Sequence, residues 1–232
     1  EEITDRVQGK PLHINGLAVE RLVTPQGGAS IAEALQRDID AIRAANGVPH
    51  LNHPNFGWAV TAADIQRVKN DRLFEIFNGH PFVNNLGGRE APGVEEVWDR
   101  LLRAGRRVYG IAVDDAHYFK RPWDARAPKP GQGWVVVRAP RLDAAALLAS
   151  LEAGDFYAST GVDLEDYWAD AAGISLRVRA DGDTRYRLSL IDATGEVQTL
   201  DGPVARFTLT GRTGYARVVV RDSNGALAWT QP

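Results

Sequence analysis

Residues 30–54 read SIAEALQRDIDAIRAANGVPHLNHP, and the fold turns on how this run is understood. Ser30 followed three residues later by Glu33 is a capping box, in which a hydroxyl and a carboxylate satisfy backbone amides at a helix start. Ile31, Leu35, Ile39 and Ile42 recur at helical spacing on one face. Asn46-Gly47 is a C-terminal stop, because glycine enters the left-handed region without penalty. Residues 30–47 are therefore expected to form a helix. It leads straight into a short apolar segment, VPHL, with the polar exit NHP.

The same alternation runs outward in both directions. A strand is expected at 11–19, PLHINGLAV. A short helix follows at 61–69, with Thr61 and Asp64 in capping positions. RLFEIFNGHP at 72–81 reads as a strand and its exit, 94–105 as a helix stopping at Gly105, and RRVYGIAVDDAH at 106–117 as the next strand and exit. GWVVVRAP is a further strand, 142–156 a helix with Asp143 as N-cap and Gly154 as stop, and FYASTG closes the series. Strands alternating with helices predict a parallel sheet, open or closed into a barrel. After about residue 165 the pattern changes to period two, in ISLRVRA, RYRLSLIDATG, ARFTLTG, YARVVVRDSNG and ALAWTQP, with Gly, Asp and Asn between them. That predicts an antiparallel sheet or small sandwich. Two domains are expected, at 1–165 and 166–232. Residues 120–133, KRPWDARAPKPGQG, read as an exposed loop placed to form a pocket wall.

Composition narrows the partners. The chain has 232 residues, 44% apolar and 25% charged, enough for a core without staples. Net charge is -3, so no basic field invites nucleic acid. With no cysteine there are no disulfides or thiolate metal sites. No apolar run is long enough to span a bilayer. The opening EEITDRVQGK has neither Met nor an apolar leader segment, which is the pattern of a fragment or processed form.

All five histidines lie in the first 117 residues: His13, His50, His53, His80 and His117. His53 follows the strand near Val48; His80 follows the next strand, with Asn78 beside it; Asp115 and His117 follow the one after. Strand exits of a parallel sheet gather on one face, where active sites form. Imidazole with carboxylate suits Zn, Mn or Fe. Each residue also has a plainer reading. A lone His at a strand end is usually a hydrogen-bonded surface residue, HP and NGHP can be turns, and Asp114-Asp115 can cap a helix. The repetition over successive exits favours a shared site. His50, inside an apolar segment, is expected in the core.

The stretches EEIT…HINGL, LNHPNFGW, FEIFNG, DDAH and FYASTG together resemble the polymerase and histidinol phosphatase (PHP) superfamily, and most nearly its CehA/McbA-like, carbaryl-hydrolase-like metallohydrolases. The resemblance spans nearly the whole chain and implies a distorted (β/α)7 barrel, followed by a small antiparallel β-sandwich domain. It implies two or three divalent transition metal ions (Zn, Mn or Fe), with Glu2, His13, His53, Asp115 and His117 as metal ligands. Asn78 matches a pocket residue; with His80 beside it, it is a candidate for catalysis. Asn55, Lys120 and Arg121 are candidate substrate contacts. Asp114 departs from the family, which often has Ser there. The family's opening H-x-H and D-H motifs are also missing, so the barrel is expected to be N-terminally incomplete.

The implied activity is hydrolysis of a small-molecule substrate by metal-activated water. The bond is a phosphoester or, as in the carbaryl-hydrolase branch, a carboxylic or carbamate ester. No G-x-S-x-G signature points to a serine route. A different class stays open, a non-catalytic carbohydrate- or protein-binding module using Tyr157, Tyr167, Trp168 and Trp229, although aromatics at such spacings are more often core. Exported relatives favour a periplasmic or secreted location.

Overall fold

Gln8 and Gly9 turn the chain back on itself with φ of 53° and 80°. Two consecutive positive φ values are the mark of a two-residue hairpin turn whose twist matches the strands it joins. It links β1 (Glu2–Val7) to β2 (Lys10–Leu17) as an antiparallel pair, Ile3 opposite Ile14 and Val7 opposite Lys10. The computed structural model describes residues 1–117, 119–120 and 127–232.

Helix α1 (Ile31–Ala44) starts where its caps dictate. Ser30 Oγ accepts from the Glu33 amide at 3.2 Å, and the Glu33 carboxylate takes the Ala29 amide at 2.8 Å. Ile31, Leu35, Ile39 and Ile42 are buried against Leu12 and Ile14 of β2. The chain then forms β3 (Val48–Leu51), which pairs antiparallel with β2. α2 (Ala62–Arg67), opened by a Thr61–Asp64 capping box, precedes β4 (Leu73–Asn78). α3 (Val94–Arg103) precedes β5 (Tyr109–Val113). The first sheet has the order β1-β2-β3-β4-β5, and only β3, β4 and β5 are mutually parallel.

The next two strands leave that sheet. β6 (Trp134–Val137) and, after α4 (Ala144–Ala153), β7 (Phe156–Ser159) pair with each other and then with β14 (Leu227–Thr230). With β10 (Tyr186–Asp192), β11 (Gly195–Asp201) and β13 (Ala216–Asp222) they form a second sheet, order β11-β10-β13-β14-β7-β6. β8 (Leu164–Ala169), β9 (Gly173–Val178) and β12 (Val204–Thr208) form a third, with β9 in the middle.

The expected (β/α)7 barrel followed by a sandwich is therefore not the fold. The described residues make three sheets with four short α-helices. Two features prevent closure. The hairpin and the antiparallel β2–β3 pairing reverse the direction a barrel needs, and β6 pairs with β7 and β7 with β14 rather than continuing from β5.

One core lies between the helices and the first sheet, centred on Trp98, Phe74 and Leu35, and runs on to Val219 and Trp229 of the second sheet. A second fills the space between the second and third sheets, with Leu176, Leu188, Phe207 and Val218. On the other face of the first sheet, Val48, Leu73, Tyr109 and Ile111 pack with Phe156 and with Leu148 and Leu151 of α4. At the edge of β5, Gln231 substitutes for a neighbouring strand. Its carboxamide accepts from the Gly110 amide at 2.8 Å and donates to the Gly110 carbonyl at 3.0 Å. Arg217 of β13, 1% exposed, closes on α3 through Asp99.

Candidate functional site

Leu12 and Ile14 point to the helices, so period two sends His13 to the opposite face of the sheet. Because β2 runs against β3, His13 lies beside the point where β3 ends; its carbonyl accepts from the Asn52 amide at 3.2 Å. His53 follows directly. His13 Nδ1 and His53 Nε2 stand 3.3 Å apart, the rings edge to face at 5.0 Å. The Phe56 ring flanks both, at 5.9 Å and 5.1 Å. Glu2 pairs with Asn15, placing its side chain diagonally from His13 on the same face. Its Oε1 is 3.5 Å from His13 Nδ1, and its Oε2 accepts from Asn52 Nδ2 at 3.2 Å. Burial, then the neighbouring His13, hold His53 below the ordinary imidazole range. The neutral ring, with a lone pair to give, is thus the favoured form.

The exits of β4 and β5 bring a second group. Asn78 Nδ2 donates to Asp115 Oδ2 at 3.1 Å, and Asn78 Oδ1 accepts from the His80 amide at 2.8 Å. Asp115 has φ of 48°, a left-handed value uncommon outside glycine. His117 is exposed, its Nδ1 2.8 Å from the Asp115 carbonyl oxygen and 3.5 Å from Asp115 Oδ1. The His80 and His117 rings are 5.7 Å apart. His80 Nδ1 accepts from the Phe82 amide at 3.2 Å, which leaves the proton of its neutral ring on Nε2. Burial lowers the His80 pKa, with Asp115 opposing.

Glu75 was not singled out from the sequence, yet it joins these groups. It is 3% exposed. Its Oε2 accepts from the His53 amide at 2.8 Å and from Asn78 Nδ2 at 2.8 Å, and its Oε1 is 3.6 Å from His50 Nε2. Burial pushes its carboxyl up to about 8, against the lowering effect of its two hydrogen bonds, with the charges of Asp115 and Glu2 adding to the rise. Burial, then His53, lowers His50 to about 4. The legible signal was a carboxylate between Phe74 and Ile76 in an otherwise apolar strand, since buried acids are rare without a partner.

The remaining expected residues lie elsewhere. Asn55 is buried, its amide donating to the Asn84 and Pro92 carbonyls at 3.0 Å and 2.9 Å. It ties two loops together rather than facing open space. Lys120 is exposed, and Arg121 lies outside the described residues. Tyr157 and Trp229 are buried and Tyr167 is half-buried, which leaves Trp168 at the surface at 50% exposure. A cavity of about 620 Å³ lined by Arg107, Tyr109, Tyr167 and Arg212 opens at the start of β5, the opposite end from the histidines. No described helix is long and apolar enough to cross a membrane.

Among the described residues, no three His, Asp or Glu side chains already surround one point. One pairwise distance matches a coordination shell. Metal–nitrogen bonds of about 2.0–2.1 Å in a tetrahedron place ligand atoms about 3.3–3.4 Å apart, and His13 and His53 stand at that separation, with Glu2 slightly beyond it. One carboxylate and two imidazoles suit one borderline ion. Asp115 and His117 stand at the exit of β5, in contact with Asn78 and with each other.

No family model and no curated protein matches the chain. Among solved structures it is similar to the crystal structure of a two-domain protein containing a predicted PHP-like metal-dependent phosphoesterase from Bacteroides vulgatus. The identity is 13%, over 95% of this chain and 68% of that chain, with a TM-score of 0.41. That name does not reach the carbaryl-hydrolase branch, and a likeness at this level fixes neither the fold nor the function of this chain.

Proposed function

We propose that this chain serves a metal-dependent hydrolase acting on a phosphoester. The observation that carries the reading is the facing pair His13 Nδ1 and His53 Nε2 at 3.3 Å, with the Glu2 carboxylate beside it. Glu2, His13 and His53 would hold a divalent transition ion. Such an ion supplies hydroxide at neutral pH and polarises the scissile bond.

The rest is the work of the chain's own groups. Phe56 walls one side of both imidazoles and keeps them in place. Asn78 fixes the Asp115 carboxylate and the His80 backbone. His80 Nε2–H is the hydrogen-bond donor available to a leaving-group oxygen. The wider PHP resemblance, whose members commonly cleave phosphate esters, favours a phosphoester; the nearer likeness to the carbaryl-hydrolase branch makes a carboxylic or carbamate ester the second reading.

The test is turnover of bis(p-nitrophenyl) phosphate, p-nitrophenyl phosphate, p-nitrophenyl acetate and an aryl methylcarbamate, with Mn²⁺, with Zn²⁺ and with chelator. Metal-stimulated release from a phosphate, abolished by His13→Ala and by His53→Ala, is expected. Release from the acetate or carbamate alone would replace the phosphoester by the ester reading. No metal-stimulated turnover of any substrate overturns the proposal.

A further inference from the structure

Glu75 and Asn78 are three positions apart, and in a regular strand such residues face opposite sides. Here they touch, Asn78 Nδ2 to Glu75 Oε2 at 2.8 Å. The cause lies in the pairing of β4 with β5. Glu75 is opposite Ile111 and Phe77 opposite Ala112, so Ile76 is one extra residue, and the slip turns Asn78 onto the face of Glu75. Bulges of this kind re-aim side chains beside functional sites.

The bulge gives one carboxylate an unusual reach. Glu75 Oε2 holds the His53 amide at 2.8 Å, at the exit of β3. Through Asn78 it reaches Asp115 at 3.1 Å, at the exit of β5, and the His80 amide at 2.8 Å, at the exit of β4. Phe74 and Ile76 anchor the node on either side, 0% and 1% exposed. His50 Nε2, 3.6 Å from the other carboxyl oxygen, has no hydrogen-bond partner among the described residues.

We infer that Glu75 is a positioning residue: its side chain holds the His53 backbone and so sets the metal affinity of the site, while the bulge in β4 brings Asn78, and with it Asp115, onto the same carboxylate. This rests on the metal reading above. Glu75 acts as a hydrogen-bond acceptor and not as a ligand. Gln keeps one acceptor oxygen for the His53 and Asn78 N–H groups and offers its amide to His50 Nε2. Glu75→Gln should therefore work where Glu75→Ala fails.

The experiment is Co²⁺ titration of the full chain, followed by its visible spectrum, for the native protein, Glu75→Gln and Glu75→Ala. Amide hydrogen exchange is measured on the same three without metal. Glu75→Ala should weaken Co²⁺ binding about 10–100-fold, the usual cost of losing an outer hydrogen-bond partner. It should also expose the His53 amide to exchange while Leu51 and Phe74 stay protected. Glu75→Gln should restore both the spectrum and the protection. Native affinity in Glu75→Ala would show a merely structural acid, and Glu75→Gln as weak as Glu75→Ala would show a ligand; either overturns the inference. If Glu75→Ala does not fold, Glu75→Asp, whose carboxylate stops one methylene short of the His53 amide, must weaken Co²⁺ binding and raise exchange at that amide, or the inference fails. If the native chain binds no Co²⁺, the metal reading falls, and positioning is decided by His53 exchange alone.

Discussion

The carboxylate of Asp114 reaches the backbone amide of Gln132, 18 residues on, at 2.6 Å. It takes the Gly131 and Gly133 amides as well, both at 3.0 Å. Its neighbour Asp115 turns the other way, to Asn78. The two adjacent acids thus have separate tasks, one binding the returning loop and one facing the histidines. Asp114→Ala should cost about 1–2 kcal/mol by leaving these amides without their acceptor. It should raise hydrogen exchange at residues 131–133 and leave the His53 amide protected, as amide exchange by NMR will check.

His13 and His53 are each expected to matter more to metal than any group behind them. His13→Ala and His53→Ala remove one of two facing nitrogens. Each should lower Co²⁺ affinity beyond the roughly 10–100-fold cost of losing an outer partner. The double variant should be little weaker than either single one, because the two act as a unit. Equilibrium titration checks both statements. Full additivity of the two losses would mean the imidazoles do not share an ion.

Asp38 makes stability depend on pH. It sits on the buried face of α1, where Oδ1 accepts from the Gln26 amide at 2.9 Å and Oδ2 has no partner among the described residues. Burial raises its pKa from 3.8 to about 6, with the charge of Asp5 adding to it. The folded state therefore binds the proton more tightly than the unfolded chain does. Its contribution is fully present below pH 3.8 and is lost as pH rises through 6. Asp38→Asn keeps the acceptor and removes the charge. It should be more stable than the native protein by about 1–3 kcal/mol at pH 8, and the gain should vanish near pH 4. Urea unfolding at the two pH values measures it.

Arg217, itself buried, joins β13 to α3. Its Nε and Nη2 donate to the two oxygens of Asp99, both at 3.0 Å, and its guanidinium lies 4.6 Å from the Trp98 ring centre. Tyr215 Oη donates to the same carboxylate at 3.0 Å. Arg217→Ala leaves Asp99 shielded and without its counter-charge, and should cost about 3–5 kcal/mol. Arg217→Lys keeps the charge and loses the paired geometry, so it should fall between Ala and native. Chemical denaturation will rank the three.

The local parts of this molecule were legible in its sequence. Ser30, Thr61 and Asp143 cap the helices they were read to cap, and Gly154 ends α4 in the left-handed region. His53, Asn78 and Asp115 stand at the exits of β3, β4 and β5, as their place after apolar runs required. Caps, periodicity and turn chemistry act over a few residues, so a short window holds the information.

The partner and direction of each strand were not legible in this way. The Gln8–Gly9 hairpin was not read from the sequence, and whether β2 ran with or against β3 depended on a pairing across α1. β6 and β7 carry the same apolar character as β5, yet they pair with each other, and β7 with β14 at the far end of the chain. The alternation of a strand tells which residues share a face and says nothing of which neighbour that strand will meet. Glu75 shows the same limit within the site. Its acid was visible between two core residues, but the bulge that brings Asn78 onto its face belongs to the register between β4 and β5. The amino-acid order alone settled the helices, most of the strands though not β1, β8 or β11, and the donors at the strand ends. Long-range strand pairing settled which donors meet, because register and direction are set by partners far along the chain.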